Sequence, residues 1–400
     1  MLKKASDIIN RFSRSRELYI MIYVIMGLLA AVSVFAGIRN ALIFSQDFQY
    51  DAAKALLYGT DPYDVSLEGM KSPDVDGLSE FYSYYESIGA PQRMEANQFP
   101  SLLYLLAPWC FFSAKSARVL WLVSNLLFTG FIIVLLRHTF FKDTDKKLFF
   151  IFVLLMIAGT PWRNQIGVGQ HTLFSVMFFL LAVYLSEEKR MPVPAGIALA
   201  VSYFKYTVTA PLAVYFIYKR RWKELIISVI PHIAGTAIAA VSLKGSFPDM
   251  IIKPLKVASS LSGEGSMDIG AIMGGGIACV VVTVLLMLFL IAAGFICPKG
   301  NDRLIISLCV LLSLIMTYHR LYDFFIMIFV FAYFDEREGG SPAAEIFYLL
   351  TCFDVFFIPR LLQESEAGLI IAGVPYYLFT VYILIAVAEK IRNKGGGIYG

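Results

Sequence analysis

The chain has 400 residues, 58% of them apolar and 16% charged, with a mean hydropathy of +0.69. Soluble domains run about 45–50% apolar and about 25% charged, so these values exclude an ordinary soluble domain, and one membrane anchor cannot shift the average of so long a chain. The net charge of +4 is small and dispersed, which excludes a nucleic-acid partner.

In chain order, the first apolar run covers 18–38 and ends in Ile38-Arg39-Asn40 with no small-residue cleavage site, so it reads as a retained span. A polar stretch over 45–100 follows, containing DFQYDAAKALLYGTDPYD at 47–64. There Phe48, Ala52, Ala55 and Leu56 recur at helical spacing, predicting a short amphipathic helix lying on the membrane, ended by Gly59 and Pro62. The next run, 101–113, is short and carries Pro100 and Pro108 at its start and middle, which suits an interfacial helix. Further runs follow at 119–136, 148–161, 172–185, 192–203, 208–218, 225–243, 269–297, 304–317, 322–334, 343–362 and 369–388. A second polar loop, 244–268, holds Lys244, Lys253 and Lys256.

Basic clusters mark the cytoplasmic side of membrane proteins. Here they lie at Lys3–Arg16, Arg137–Lys147, Lys189-Arg190, Lys219–Arg221, Lys299–Arg303 and Lys390–Lys394. From Arg137 onward each successive pair brackets two apolar runs, and the first part of the chain obeys the same parity if 101–113 does not cross. The expected fold is an all-α polytopic membrane protein of about twelve transmembrane helices with interfacial helices in the first external loop. It forms a single membrane domain over 1–400: cytoplasmic 1–17, first span 18–38, external loop 39–118, remaining spans 119–389 and cytoplasmic tail 390–400. The expected location is the cell (inner) membrane, with both termini cytoplasmic. The five cysteines, Cys110, Cys279, Cys297, Cys309 and Cys352, form no CxxC pair and sit in apolar runs, so they read as small buried hydrophobes.

This topology collects polar groups on the external, periplasmic face: Asp47 and Asp51, Gln170 and His171 in TPWRNQIGVGQHT, Lys205 in SYFKYTVTAP, and His319, Arg320 and Asp323 in YHRLYD. Ionisable groups at membrane depth are costly and mark function. Lys and Arg are the usual partners of phosphate, and a carboxylate beside them can take a proton. Each residue also has a plainer reading. Asp47 suits a helix N-cap, Asp51 a solvated face, Asp61 turn chemistry before Pro62, and Lys205 a side chain snorkelling to headgroups. Gln170 and His171 suit backbone pairing at a helix start, and His319 or Arg320 a structural pair with Asp323. His232 reads as a satisfied buried histidine.

At these residues the sequence resembles glycosyltransferase family 87. DFQYDAAKALLYGTDPYD is similar to the family's D-F-Q-W/Y…A…LL-x-G-x-x-P-Y signature, and Phe99-Pro100-Ser101-Leu102-Leu103-Tyr104 to its Y-P-P-L-L-Y segment. Gly169-Gln170-His171-Thr172 resembles G-Q-x-N/S, and Ala195-Gly196 through Lys205 to Arg220-Arg221-Trp222 resembles A-G…K…R-R-W. The chain departs from those patterns at Phe99, Ser101, His171 and Thr172.

The resemblance implies a GT-C-like bundle that takes a hexose, most often mannose, from a polyprenyl-phosphate sugar to a glycan or glycolipid acceptor, with inversion. It implies Asp47 as catalytic base. Asp51, Gln170, His171, Lys205, His319 and Arg320 are then the expected substrate-binding residues, with no metal and no cofactor beyond the lipid-linked donor. Two other classes compete. A transporter or flippase for lipid-linked sugars carries inverted repeats, and none is visible. A polysaccharide polymerase or ligase carries its long external loop late in the chain, whereas here the large loop comes first.

Overall fold

The computed structural model describes residues 16–45, 48–69, 75, 78–261, 268–274, 276–336, 342–358 and 366–396. Asp47 and the basic residues up to Arg14 lie outside them. Among the described residues the chain is helical throughout.

It opens with α1 (Arg16–Phe44). Four short elements cap the end of the bundle where α1 finishes: α2 (Tyr50–Leu57), α3 (Pro62–Leu67), α4 (Leu78–Ser87) and α5 (Pro100–Cys110), the last with a 3-10 turn at Tyr104–Leu106. Then come α6 (Ala114–His138), α7 (Lys146–Ala158), α8 (Thr160–Val168) and α9 (Thr172–Glu187). They are followed by α10 (Pro192–Ser202), a 3-10 turn at Tyr203–Lys205, α11 (Tyr206–Leu212) and α12 (Val214–Tyr218). Next are α13 (Trp222–Ser242), α14 (Asp249–Leu261), α15 (Ile269–Met273), α16 (Gly276–Ile296) and α17 (Asp302–Met316). The chain closes with a 3-10 segment at Leu321–Met327, α18 (Ile328–Glu336), α19 (Pro342–Phe357) and α20 (Glu366–Gly396).

Among the described residues five helices are long and apolar enough to cross a membrane: those built on Glu17–Phe44, Ala114–His138, Trp222–Ser242, Gly276–Ile296 and Gly373–Asn393. The pair α7 and α8 makes a sixth if taken as one span bent by 50°. The bend follows from its sequence. Gly159 is extended (φ −68°, ψ 142°) and Pro161, which lacks a backbone N–H, opens α8. The other apolar runs become shorter helices. The extreme case is α17, buried on every side from Arg303 to Met316. A helix sheathed by others is apolar all round, which is why it reads as a span in the sequence although it has only 15 residues.

Two apolar clusters organise the molecule. The larger runs through the bundle around α9, α17 and the Leu321–Met327 segment. The second belongs to the cap: Phe48, Tyr50, Ala52, Tyr63, Phe81, Tyr85, Leu102 and Leu106 pack against Trp121, Phe174, Phe204 and Ala239 from the bundle. This corrects the expected surface helix. In α2 every residue from Tyr50 to Leu56 is buried, because α4 and α5 cover the face assigned to water. Asp51 and Lys54 are therefore buried too, at 6% and 7% exposure, and Asp51 is not a solvated face. The N-cap position of α2 belongs to Gln49, in the left-handed region at φ 58°. The expected cap residue, Asp47, lies outside the described residues.

Other local readings hold. The side chain of Asp61 caps α3, accepting from the Tyr63 and Asp64 backbone N–H groups. Lys253 of α14 reaches across to both Asp61 and Asp64 at 2.7 Å, tying the second polar loop to the first. His232 is satisfied through Ser101 Oγ at 2.9 Å and the Ala200 carbonyl at 3.0 Å. All five cysteines are free.

Candidate active site

The cap and the bundle meet around a cavity of about 590 Å³. That volume falls within the range of small-ligand sites. From the cap its wall takes Gln49, Asp51, Glu95, Asn97 and Gln98. From the bundle it takes Gln170, His171, Lys205, Tyr206, Tyr318, Arg320 and Tyr322. Five of the seven expected site residues thus share one cavity. Asp47 lies outside the described residues, two positions before the wall residue Gln49. His319 is buried at 1% exposure behind the wall.

Lys205 is placed by a break in the chain. Between α10 and α11 the backbone tightens into the 3-10 turn and leaves Lys205 at φ −109°, ψ 67°. Its N–H donates to Ser175 Oγ at 2.7 Å. Its ammonium donates to Gln170 Oε1 at 3.2 Å, lies 3.7 Å from Asp323 Oδ2 and sits over the Tyr322 ring at 5.6 Å. Gln170 is fixed in turn, its Nε2 donating to Tyr322 Oη at 2.9 Å.

Behind this pair lies a residue the sequence reading undervalued. Asp323, 1% exposed, accepts from Thr172 Oγ1 at 2.5 Å and from Gln165 Nε2 at 3.1 Å. Asp323 pairs with Lys205, and its charge also acts on the buried His319, as expected. Arg320 instead donates from Nε to Tyr318 Oη at 2.7 Å, and His319 donates from Nδ1 to the Thr317 carbonyl at 2.8 Å. The available signal was a carboxylate inside an apolar run, which requires a buried partner. Which partner it takes depends on helices more than 100 residues apart in sequence.

His171 lies at the edge of the cavity. Its ring lies 4.5 Å from Phe204 and 5.4 Å from Trp121, and Nε2 donates to the Phe48 carbonyl at 3.1 Å. Burial, with Lys205 nearby, pushes its pKa down to about 3, so it is neutral. The same turn holds the loop after α1 through Ser45 Oγ, which donates to the Val168 carbonyl at 3.3 Å, and holds α6 through Trp121 Nε1, which donates to the Gly169 carbonyl at 2.8 Å. Gly169 is required here. It sits at φ +75°, and a Cβ would fall 2.5 Å from Ser45 Oγ.

Asp51 faces the cavity from the cap side. Tyr82 Oη donates to Oδ2 at 3.1 Å and the Ala52 N–H to Oδ1 at 2.8 Å. Burial raises its pKa to about 6 even though both hydrogen bonds favour the ionised form. A carboxylate with this value exchanges protons near neutral pH. Among the described residues no three His, Cys, Asp or Glu side chains gather as metal ligands.

A half-buried cation on one wall of the cavity and, on the cap wall, a carboxylate whose pKa is raised to about 6 fit group transfer at a membrane surface. The sequence matches the description of glycosyltransferase family 87 over residues 100–317, more than half of the chain. The chain belongs to glycosyltransferase family 87. The matched region contains Gln165, Gln170, His171, Thr172 and Lys205, so this family 87 membrane glycosyltransferase has most of the bundle side of its cavity inside it. No curated protein and no solved structure matches the chain.

Proposed function

We propose that this glycosyltransferase moves a hexose, mannose by family resemblance, from a polyprenyl-phosphate donor to a hydroxyl of a glycan or glycolipid, on the external face of the membrane. In this reading about twelve crossings arise because the short helices of the bundle join the five long ones, and both termini are cytoplasmic. The observation that carries the reading is the charge arrangement of the cavity. Lys205 and Arg320 stand on the bundle wall and Asp51 on the cap wall, with Asp47 two residues before Gln49.

The acceptor hydroxyl gives its proton to Asp47, its oxygen attacks the anomeric carbon, and the bond from that carbon to the phosphate oxygen breaks with inversion. Lys205 and Arg320 offset the charge that develops on the departing polyprenyl phosphate. Asp51, Gln170, His171 and His319 shape and support the site. No metal is used in this scheme. A second reading has a specific observation behind it: Asp51 lines the cavity with a pKa raised to about 6, as a general base requires.

Transfer of labelled hexose from polyprenyl-phosphate hexose to membrane acceptors tests the proposal, with Asp47→Asn and Asp51→Asn compared at equal expression. Loss of transfer only in Asp47→Asn supports Asp47 as base. Loss only in Asp51→Asn moves the role to Asp51. Absence of transfer from any polyprenyl-phosphate hexose by the unaltered protein removes the donor assignment.

A further inference from the structure

On the other side of the loop that follows α1 lies a second, smaller cavity of about 150 Å³. Ser45, Phe48, Phe81, Tyr84, Tyr85 and Ala114 line it together with Lys115, Arg118 and Glu80. Tyr85 stands in the walls of both cavities, so this one adjoins the candidate active site without opening from the same wall. It sits where α1 ends and α6 begins, at the rim of two membrane-length helices. Its surroundings are apolar and uncovered: Phe111 is 85% exposed, Phe112 48% and Phe44 44%. Large apolar side chains exposed together at the end of a crossing helix mark a surface that faces the membrane.

Lys115 and Arg118 bring two cations to this pocket. Lys205, Lys219 and Lys253 each have a carboxylate within ion-pair distance. Among the described residues Lys115 and Arg118 have none, although they are three positions apart on one face of α6. The Arg118 guanidinium carbon sits 3.6 Å from the centroid of the Tyr84 ring, and its Nε has no acceptor. Tyr84 is itself anchored through its hydroxyl to the Ile43 carbonyl at 2.9 Å. Stacking on a ring face fixes the guanidinium plane and leaves its edge for a planar or tetrahedral oxyanion.

We propose that this pocket binds the phosphate of a membrane lipid. Lys115 and Arg118 hold the phosphate, and the apolar wall of Phe48, Phe81 and Tyr85 takes the first part of the lipid body. Two sources have this chemistry: a bulk anionic phospholipid and a polyprenyl phosphate on its way to or from the neighbouring cavity. Glu80, exposed at the rim, opposes the anion and sets a sign that the test reads. The site does not rest on the transferase reading.

The test is native mass spectrometry of the full chain released from detergent after exposure to phosphatidylglycerol, phosphatidylcholine or undecaprenyl phosphate. The unaltered protein retains an anionic lipid over phosphatidylcholine. Lys115→Gln with Arg118→Gln lowers that retention about ten- to a hundredfold for each cation removed, and Glu80→Gln raises it. Loss confined to phosphatidylglycerol assigns the site to bulk phospholipid, and loss confined to undecaprenyl phosphate assigns it to the carrier. Equal retention by the unaltered and doubly altered proteins, at equal thermal midpoints, overturns the proposal. If the double variant does not fold, Lys115→Gln alone carries the test, because that side chain is exposed. Sugar transfer without lipid retention defeats only this inference. Lipid retention without any sugar transfer defeats only the transferase reading.

Discussion

At the scale of single residues, the chain's ionisable groups divide by what they face. Lys205 has two duties, since it neutralises Asp323 and offers its charge to the cavity. Removing one member of a buried ion pair costs about 3–5 kcal/mol, because the other is left uncompensated. Lys205→Met should therefore lower both stability and donor use. Adding Asp323→Asn should restore the thermal midpoint in detergent without restoring donor use. Recovery of transfer in the double variant would mean that Lys205 matters only as a counterion.

Asp51 makes a separate prediction with a definite sign. Its pKa is raised from 3.8 to about 6 in the folded chain, so between those values the folded state holds a proton that the unfolded state has lost. The associated stability is present below pH 3.8 and is lost as pH rises through about 6. Asp51→Asn, neutral at every pH, should raise the unfolding free energy at pH 7.5 by up to about 3 kcal/mol and leave it nearly unchanged at pH 4. A flat difference across that range would show that Asp51 is not buried as an ionised carboxylate at neutral pH.

At the scale of elements, the cap is held to the bundle by close backbone approach. Where α13 passes α5, a Cβ added at Gly235 would lie 2.7 Å from Ser101 Cβ and 2.8 Å from its Cα. Because one contact is backbone, the helices must separate, and overpacking of this kind costs about 1–3 kcal/mol. Gly235→Ala should lower the thermal midpoint and reduce transfer together, since the shift loosens the cavity's cap wall. Gly130→Ala on α6 is the matched control. Nothing lies within 4 Å of its Cβ position, so the added methyl should be neutral or slightly stabilising. Equal effects at the two sites would remove the cap-docking argument. The cap was only partly legible in sequence. The period of Phe48, Ala52, Ala55 and Leu56 gave the helix, but its second covered face comes from α4 and α5, which no local pattern of α2 announces.

At the scale of the whole molecule, the remaining question is which end faces out. The charge pattern puts Arg137–Lys147 in the cytoplasm and the cap outside. Thr144 is a poor reporter, being 2% exposed with its carbonyl held by Arg137. Asp143 is better, its side chain being 92% exposed and its pairing with Arg303 at 3.5 Å weak in water. Glu68, exposed beside α3, reports the other end. An impermeant thiol reagent added to intact cells should modify Glu68→Cys and spare Asp143→Cys until the membrane is opened. The reverse pattern would invert the topology and place the cavity on the cytoplasmic side.

Sequence alone determined the solvent of this protein, its helical character and the residues most costly to bury. Each is a local property: hydropathy summed over a run, the spacing along it, and the charge of one side chain. It also located the short-helix break at Lys205 and the turn at Gly169-Gln170, because Gly, Pro and isolated charges punctuate helices wherever they occur. Tertiary structure alone decided which carboxylate meets Lys205, that His171 supports the loop after α1 from a neutral, buried position, and that Asp51 is buried in the cavity wall rather than set on a solvated face. Those outcomes depend on which faces become neighbours when distant helices pack. An apolar run looks the same from sequence whether lipid or another helix covers it.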